Sequence, residues 1–514
     1  MGRAAVASGK IQKQEDQSLS RKGAANAPQQ ISQYHCFITE ETKILRENLL
    51  VWYDQNKREL PWRTLACSES DLDRRAYGVW VSEIMLQQTQ VATVIDYYNS
   101  WMKTWPTLQD LARASLEEVN EKWSGLGYYS RGRRLYEGAQ KVISELKGQM
   151  PRSAELLQKL LPGVGKYTAG AVASICFGQV TGVVDGNVIR VLCRLRCIGA
   201  DSSTPAVMDR LWDLANTIVD PDRPGDFNQA MMELGATVCT PKKPLCTKCP
   251  LQSQCWAFKK VAKELTSATD KLVQRRSKHK AETIRDIEEC DLVSGSCALC
   301  LPTSETWDST LGVANFPRKS AKKPSRVEQT VTCVWERPGE QEEAQYMIVR
   351  RPSTGLLAGM WEFPSMLLEK ELAAKDGAST VCQRLQDLTG QTVQLKELQY
   401  TGEVVHVFSH IHQTYLVYFL SRSQAESICV KEEGAERPEI RWVTKKQFLD
   451  SAVPTAMKKI LKLCESKTFR KSDIKMSRKR KSDSAAVQSP VGKLKAEPGK
   501  QRTIQSFFKS VPSK

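Results

Sequence analysis

Apolar residues recur at helical spacing through the first half of the chain. Between residues 42 and 256 they follow one another at intervals of three and four, as in Leu45, Leu49 and Leu50, which is typical of amphipathic helices. Alternation of apolar and polar residues, the pattern of a half-buried strand, is rare here. The pattern predicts an all-α domain, which we place at residues 35–261.

The pattern changes twice after this domain. Residues 262–327 are charged and contain Pro and Ser without a sustained period, which predicts a connector. β-Branched and aromatic runs then begin at TVTCVWE and continue in AQYMIVRR, HQTYLVYFL and EIRWVT, with the helical stretch QRLQDLTG between them. These runs predict an α+β domain over residues 328–466.

Both ends of the chain are basic and polar. Residues 1–30 hold five basic and two acidic side chains, and residues 471–514 hold twelve and three, so the tails supply most of the net charge of +17. Segments of this composition cannot offset their ordering entropy, which predicts disordered basic tails at 1–34 and 467–514. A basic chain favours a nucleic-acid partner over a merely solvated charged surface.

Composition narrows the class of protein further. The chain has 514 residues, of which 41% are hydrophobic, enough for several globular cores. No run approaches 18 consecutive apolar residues and the N-terminus has no apolar signal segment, so we expect no membrane span and no secretion. The 16 cysteines are therefore expected to be reduced thiols or metal ligands.

Two groups of cysteines have ligand spacing. Six, two and five residues separate the members of the first group, Cys239, Cys246, Cys249 and Cys255. That loop suits zinc or an iron–sulfur cluster, and the spacing does not choose between them. The connector repeats part of this spacing at Cys290, Cys297 and Cys300. Three thiols suggest zinc with a remote fourth ligand, His35 or Cys36, and three exposed reduced thiols are the alternative.

Three further features carry candidate chemistry. In LQKLLPGVGKYTAGAVAS, Gly163 and Gly165 let backbone N–H groups approach a phosphate at the start of a helix, although an ordinary turn fits equally. Asp185 precedes a helix in VVDGNVIRVLCR and has the position of a simple N-cap. Glu83 lies in the apolar helix WVSEIML, where burial would raise its pKa.

In this order, LPGVG, Asp185 and the four-cysteine loop resemble the helix–hairpin–helix base-excision glycosylases that carry a 4Fe-4S cluster. WVSEIMLQQTQV, GLGYYSR and FNQAMMELGA resemble the MutY branch of adenine glycosylases more than the endonuclease III branch, and the match covers about residues 48–256. The resemblance implies a base-excision-repair enzyme acting on double-stranded DNA. It would hydrolyse the N-glycosidic bond of adenine mispaired with 8-oxoguanine or guanine and leave an abasic site.

The resemblance also implies roles for individual residues. Glu83 matches the acid that protonates adenine N7, and Asp185 matches the carboxylate that stabilises the cationic sugar, a division of labour that requires opposite protonation states. Tyr167 and Asn187 match residues that position the sugar and the attacking water. Because Tyr167 replaces the Schiff-base lysine of the endonuclease III branch, we predict a monofunctional enzyme. The adjacent Lys166 should point away from the site, since one helical residue rotates a side chain by about 100°.

Other matched residues concern base extrusion and the adenine pocket. Gln88 and Tyr128 match residues that fill and wedge the base stack, although Tyr128 could be an ordinary core aromatic. The residues that match the adenine pocket are Arg63, Leu86 and Glu233.

The second domain resembles the MutT-like (Nudix) fold in MIVRRPSTGLLAGMWEFPSM and VCQRLQDLTG. The metal-binding carboxylates of that family's helix are mostly replaced, here by Cys382, Gln383, Gln386 and Asp387. Without them a pyrophosphatase cannot hold its cation, so we predict binding rather than hydrolysis. In MutY homologues 8-oxoguanine is read by a loop that matches Phe408, Ser409 and His410.

Partner motifs lie in the C-terminal tail. QRTIQSFF fits the Q-x-x-I-x-x-F-F pattern of peptides that bind a sliding clamp such as PCNA, through Gln501, Ile504, Phe507 and Phe508. The run Arg478–Lys481 suits nuclear import, with a solvated charge run as the alternative, and the N-terminus is acid-free up to Glu15, which hints at a mitochondrial fraction. The resemblance to mammalian homologues favours the zinc site and implies that the connector contacts a checkpoint clamp and an abasic endonuclease.

We therefore predict a monomeric multidomain protein with a helix–hairpin–helix glycosylase domain and a MutT/Nudix-like domain. Two other functions stay open: a bifunctional endonuclease III-like glycosylase/lyase for oxidised pyrimidines, and a non-catalytic DNA-damage scaffold. Tyr167 argues against the first, and the pair Glu83 and Asp185 argues against the second.

Overall fold

The computed structural model describes residues 32–274, 290, 297–302, 305, 307–319, 324–339, 343–368, 377–408, 411–422 and 438–467. Several predicted features lie outside the described residues: most of both tails, Ser409 and His410, the run Arg478–Lys481, and the clamp motif with Gln501, Ile504, Phe507 and Phe508. None of the described helices combines the length and apolar character needed to cross a membrane.

The first half of the chain is helical, as its periodicity predicts. Its helices are α1 Thr39–Asn56, α2 Pro61–Ser68, α3 Leu72–Leu86, α4 Val91–Thr104, α5 Leu108–Arg113, α6 Leu116–Lys122, α7 Ser130–Glu145, α8 Ala154–Leu160, α9 Lys166–Phe177, α10 Gly186–Leu195, α11 Pro205–Ile218, α12 Pro224–Thr237 and α13 Trp256–Gln274. Short 3-10 helices occur at Gln33–His35, Cys246–Lys248, Gln252–Gln254 and Gly312–Asn315. Side-chain caps fix several starts, for example Asp71 at α3 and Ser115 at α6.

These helices surround two separate apolar cores. One core is formed by α2 to α9 and is rich in tryptophan, with Trp80, Trp101 and Trp123 fully buried. The other is formed by α1 and α10 to α13, together with Leu299 and Phe316 of the connector. Because the two cores meet along α3, α9 and α12, any side chain between them is flanked by apolar packing on both sides.

The element boundaries differ from the sequence prediction at two places. The 3-10 helix Gln33–His35 precedes the boundary that we placed at residue 35, and His35 is fully buried. Helix α13 continues to Gln274, well past residue 261, where we expected a connector without regular structure. Charged and polar residues predominate in this continuation, so the apolar pattern did not predict it.

The second domain is a sheet with helices on both faces. Its strands are β1 Arg326–Pro338, β2 Ala344–Arg350, β3 Trp361–Glu362, β4 Ser365–Leu368, β5 Gln399–Val407, β6 Ile411–Ser421 and β7 Ile440–Thr444. The order is β3-β2-β1-β6-β5, with β1 and β6 parallel, β4 paired to β1 and β7 paired to β2. Helix α14 (Gly377–Thr389) packs on one face, and α15 (Lys445–Asp450) and α16 (residues 455–467) pack on the other.

A small set of contacts joins the two domains. Glu117 at the start of α6 accepts hydrogen bonds from Trp361 Nε1 at 3.2 Å and from an Arg441 guanidinium nitrogen at 2.6 Å. Met360, fully buried, packs into the tryptophan-rich helical core. The β-domain is thereby held beside α6 and α7, which positions one end of its sheet near the loop before α7.

Candidate active site

A cleft of about 430 Å³ lies between the two helical cores. The first core contributes residues of α2, of α3 and of the loop after it, and the second contributes the start of α10 and one face of α12. The cleft brings together most residues that the sequence analysis singled out in this half of the chain: Arg63, Glu83, Leu86, Gln88, Tyr167, Asp185, Asn187 and Glu233. Residues more than 100 positions apart in the sequence therefore form one site.

Glu83 is buried at the inner end of this cleft. Helix α3 is buried continuously from Ala76 to Met85, so its carboxyl group has little access to water. Burial raises the pKa of Glu83 to about 7, with the neighbouring Asp185 raising it further and Tyr167 and Arg63 lowering it. In the described part of the chain, Glu83 Oε2 has no hydrogen-bond partner. A carboxyl group in this state can hold a proton near neutral pH and has one oxygen directed at no protein group.

Asp185 is both an N-cap and a cleft residue. Its carboxylate accepts hydrogen bonds from the backbone N–H groups of Asn187 at 2.9 Å and Val188 at 2.7 Å, and from the Asn187 side-chain amide at 2.9 Å. These bonds favour the anion, as expected at a helix start. Burial nevertheless has the larger effect and raises the pKa of Asp185 above its ordinary value. The sequence analysis foresaw the hydrogen bonds but not the burial that opposes them.

Tyr167 occupies the first turn of α9, between the two carboxyl groups. Burial raises the pKa of its hydroxyl well above the ordinary value, and the nearby Glu83 and Asp185 raise it further. The hydroxyl donates to Met232 Sδ at 3.1 Å, so the ring is fixed against α12. The Lys166 ammonium lies 4.2 Å from the ring centroid of Trp212 and points away from the cleft, as its helical position predicts. The aromatic residue, not the amine, therefore faces the site.

A network of charged side chains closes one wall of the cleft. The fully buried Glu233 carboxylate accepts hydrogen bonds from Arg58 at 2.9 Å and from Arg63 at 2.9 Å. Burial alone would raise the pKa of Glu233, but the two guanidinium groups hold it below its ordinary value. Arg63 also donates to Gln229 Oε1 at 3.1 Å. This wall offers fixed donors and acceptors to a flat polar ligand.

Two loop residues, Gln88 at the cleft and Tyr128 before α7, have left-handed backbone conformations. Gln88 has φ 58° and Tyr128 has φ 48°, and neither is glycine, so both conformations are strained. Tyr128 is 46% exposed, which argues against the alternative that it is a core aromatic. Their strain is maintained by Arg131, whose guanidinium donates to the carbonyl oxygens of Ile84, Met85, Gln87 and Gly127.

Comparison with known proteins shows the family to which the chain belongs. The model of the HhH-GPD superfamily of base excision DNA repair proteins matches residues 81–217, and the NUDIX domain model matches residues 339–463. Adenine DNA glycosylase of Homo sapiens is 52% identical over 495 residues, covering 95% of this chain and 86% of that protein. The enzyme of Mus musculus is also 52% identical, covering 94% and 88%. The chain belongs to the adenine DNA glycosylase family.

A solved structure described as a thermostable thymine-DNA glycosylase also aligns with the helical half. It covers 43% of this chain and 98% of its own, at 28% identity and a TM-score of 0.37. The sequence relatives and the matching family model show that this protein is an adenine DNA glycosylase of base excision repair, and that it binds DNA.

The hairpin of this glycosylase has the geometry of a phosphate-contacting turn. Gly163 has φ +75°, and a Cβ there would lie 2.7 Å from the Arg134 side chain, so only glycine fits. Gly165 is the N-cap of α9, and a Cβ built on it would meet no described atom within 4 Å. Open space before the first N–H groups of a helix is where an anion can approach.

Cysteines of the first group line one small cavity with Arg194, Phe258 and Val313: Cys239, Cys246, Cys249 and Cys255. Arg194 donates to Cys239 Sγ at 3.3 Å. One turn earlier on α10, Arg190 donates to the Cys239 carbonyl oxygen at 2.7 Å and to Asn187 Oδ1 at 2.8 Å. The cysteine loop of the glycosylase is therefore joined by hydrogen bonds to the end of α10 that carries Asp185.

The connector cysteines form a second group near the N-terminus. The ligand atoms of four residues lie within 4.8 Å of one another, a spacing suited to a metal ion: His35, Cys290, Cys297 and Cys300. His35 Nδ1 contacts the Arg196 carbonyl oxygen at 2.8 Å, which leaves Nε2 directed at Cys300 Sγ, 3.3 Å away. Cys36, the other candidate, instead accepts from Arg210 at 2.8 Å. Of the two candidates for the fourth ligand, the structure brings His35 to the thiols.

A cavity of about 790 Å³ separates the β-domain of the glycosylase from the helical domain. Tyr128 lines one side and Phe408 the other. Phe408 follows β5, its N–H group donates to the Ile411 carbonyl oxygen at 2.8 Å, and its ring packs edge-on against His406. On α14, Gln383 donates to Asp387 Oδ1 at 2.7 Å, so this carboxylate is already paired within the helix.

The sequence analysis missed four residues that shape the site. They are Arg58, Arg131, Arg190 and Gln229, and each makes contacts with residues distant in sequence. Arg131 is the last letter of GLGYYSR, and its helical position on the buried face of α7 was the available signal. An arginine predicted to be buried requires acceptors, and these could have been sought at nearby helix ends.

Proposed function

We propose that this glycosylase removes adenine paired with 8-oxoguanine, or with guanine, by acid-catalysed hydrolysis that leaves an abasic site. The observation that most supports this proposal is the buried Glu83, whose pKa is raised to about 7, in one cleft with the hydrogen-bonded Asp185. Loss of adenine from a deoxyribose requires a protonated leaving base and a stabilised cationic sugar. Two carboxyl groups in different environments supply both.

In this scheme Glu83 transfers its proton to the extruded adenine. Asp185 stays ionised, because three hydrogen bonds stabilise its anion, and its charge faces the developing sugar cation. Asn187 is held by both Asp185 and Arg190 and can orient the attacking water. The Glu233 wall would hold the flat base, with Arg63 and Leu86 beside it.

Tyr167 supports a monofunctional reaction. A lyase needs an amine that can form an imine with the sugar aldehyde, and the nearest lysine on α9, Lys166, packs on Trp212 instead. Absence of a suitable amine at this position argues against the endonuclease III-like alternative. The intact carboxyl pair argues against a non-catalytic scaffold.

Recognition of the oxidised guanine is assigned to the β-domain. Phe408 faces Tyr128 across the interdomain cavity, which is where the base opposite an extruded adenine would lie. The domain lacks the glutamates that a Nudix hydrolase uses for its cation, which supports a binding role. Ser409 and His410 complete the proposed reading loop in sequence and lie outside the described residues.

The decisive assay is single-turnover release of adenine from matched A·8-oxoguanine and A·G duplexes. We expect free adenine and an alkali-labile strand from both, faster with 8-oxoguanine, and little covalent adduct on borohydride treatment. Strand cleavage without alkali, or trapping as efficient as that of a lysine-dependent lyase, would contradict the monofunctional proposal. Equal rates on both duplexes would contradict the proposal that the β-domain recognises 8-oxoguanine.

We propose two metal centres. The four thiols of the first group line one cavity, yet in the described part of the chain only the His35 group meets the spacing of a single ion. This contrast favours a 4Fe-4S cluster in the first group and zinc in the second. The cluster would hold a loop that carries three exposed cations toward a phosphate backbone, Lys242, Lys243 and Lys248.

Purified protein should contain about four irons and about one zinc per chain. Cys290→Ser should remove the zinc and leave the iron, because the two groups share no ligand. The matched control is Cys36→Ser, which alters a neighbouring thiol that pairs with Arg210 and should keep both metals. Elemental analysis checks this result. A wild-type protein with iron but no zinc would reject the second centre.

Partners and location are also proposed from sequence motifs. The pattern at Gln501, Ile504, Phe507 and Phe508 supports binding to a sliding clamp such as PCNA. We propose that the connector contacts a checkpoint clamp and an abasic endonuclease, and that the enzyme acts as a monomer. The basic run Arg478–Lys481 supports residence in the nucleus, with a mitochondrial fraction suggested by the acid-free start of the chain.

A further inference from the structure

A second cavity of about 440 Å³ lies directly behind the catalytic cleft. The two share six lining residues, Arg58, Leu60, Arg63, Ala66, Ile175 and Gln229. We call this second space the rear cavity. Its size falls in the range of small-molecule sites in proteins, and none of the residues assigned above to proton transfer or cation stabilisation lines it.

Helices α3 and α9 run from one cavity to the other. On α9, Tyr167 faces the cleft and Cys176 lines the rear cavity, about 14 Å further along at 1.5 Å per residue. On α3, Arg75 lines the rear cavity and Glu83 the cleft. Gln88 also lines the cleft, and the hairpin directly precedes the end of α9 that carries Tyr167. The rear cavity therefore opens on the side of the helical domain away from the DNA-facing loops.

The boundary between the two cavities consists of side chains rather than backbone. Arg63 donates to Gln229 Oε1 at 3.1 Å, to Glu233 at 2.9 Å and to the Arg58 carbonyl oxygen at 3.1 Å. Arg58 is 40% exposed and rests on Glu233. Rotation of these side chains, which requires hydrogen bonds of Arg63 to break, can join the two spaces without moving a helix.

The role of this opening rests on the proposed function, in which adenine is cut from the DNA inside the cleft. Adenine enters the cleft while still joined to the DNA, so the DNA backbone closes the front of the cleft. After the bond breaks, the base lies deeper than the sugar and cannot pass it. We propose that the rear cavity is the exit for free adenine, which leaves past Arg63 and Gln229 while the abasic DNA is still bound.

The walls of the rear cavity combine charged and neutral polar groups. The Arg223 guanidinium is paired with Asp54 at 2.7 Å and with Asp226 at 2.8 Å, so these charges are compensated. The Gln229 amide and the Tyr53 hydroxyl add neutral polar groups. A base can therefore exchange weak hydrogen bonds along this path without being held.

The experiment uses the full-length enzyme in excess over an A·8-oxoguanine duplex with radiolabelled adenine. Acid quenching gives the rate of bond cleavage, and rapid gel filtration without a quench gives the label that remains with the protein–DNA complex. In the wild type we expect adenine to leave at least about ten times faster than the abasic DNA. Equal rate constants for the release of adenine and DNA would overturn the proposal, whatever the variants show.

The second test uses a variant in which a larger side chain blocks the rear cavity. Cys67 is exposed, lines the rear cavity and is not part of the cleft. Cys67→Trp should leave the cleavage rate within about twofold and slow the release of adenine by about tenfold, and Cys67→Ser should match the wild type. Unchanged release in Cys67→Trp would overturn the proposal. Thr64→Trp, on the same exposed wall, gives the same readout if the first variant does not fold.

Discussion

Glu83→Gln is expected to slow single-turnover release of adenine by about a thousandfold, within the usual range for loss of a general acid. The amide keeps the shape of the side chain but cannot transfer a proton at neutral pH. Affinity for the lesion duplex should change little, because phosphate and base contacts lie on other residues. Glu145→Gln, which alters an exposed carboxylate on α7, is the control and should behave as the wild type. Near-normal rates in Glu83→Gln would remove Glu83 from the mechanism.

The pH dependence of the wild type provides a separate check on the role of Glu83. In the wild type the cleavage rate should fall as pH rises through about 7, because Glu83 then loses the proton it must donate. The stability of the folded state should depend on the same carboxyl group and should also fall as pH rises. The folded pKa lies above the unfolded one, so the wild type loses stability between pH 4.5 and about 7 as the unfolded state releases its proton first.

Glu83→Gln removes that titration and should therefore be more stable than the wild type at pH 8, by about 3 kcal/mol. The difference should shrink toward pH 5, where the folded carboxyl is protonated. Urea titrations of both proteins at the two pH values measure it. An inactive variant that is also less stable at pH 8 would show that the loss of activity comes from misfolding.

Arg131→Met is expected to destabilise the helical domain by about 3 kcal/mol and to weaken binding of the mispaired duplex. The guanidinium is buried, and burial lowers its pKa to about 10, yet it supplies donors to carbonyl oxygens at the end of α3 and in the loop before α7. Methionine fills the space but leaves these acceptors unpaired. Gln88 and Tyr128 then lose the support for their left-handed conformations.

Urea unfolding followed by circular dichroism, and titration with duplex, measure the two effects of Arg131→Met. Arg74→Met is the matched control, since Arg74 lies on α3 but is 48% exposed, and its one ion pair among the described residues is with Glu69. Its expected loss is below about 1 kcal/mol. Normal stability combined with weak DNA binding would mean that Arg131 contacts the duplex itself rather than the two loops.

The sequence by itself determined those features that a local pattern records. Helical periodicity located the glycosylase domain, because one buried face recurs every three to four residues. Ligand spacing located the first cysteine group, and apolar neighbours predicted the burial of Glu83, which the structure confirms. The replacement of the family's Schiff-base lysine by Tyr167 was visible in the sequence, because one position decides whether an imine can form.

Other features depended on contacts between distant segments, and only the tertiary structure decided them. Arg131 reaches the end of α3 across more than 40 residues, and His35 reaches Cys300 across 265. The cleft itself exists because two cores with separate helices meet, which placed Glu83 beside Asp185 and opened the rear cavity. Local sequence patterns do not reveal such pairings. A buried polar group can be satisfied by any partner that the fold brings near, and that partner can lie anywhere in the sequence.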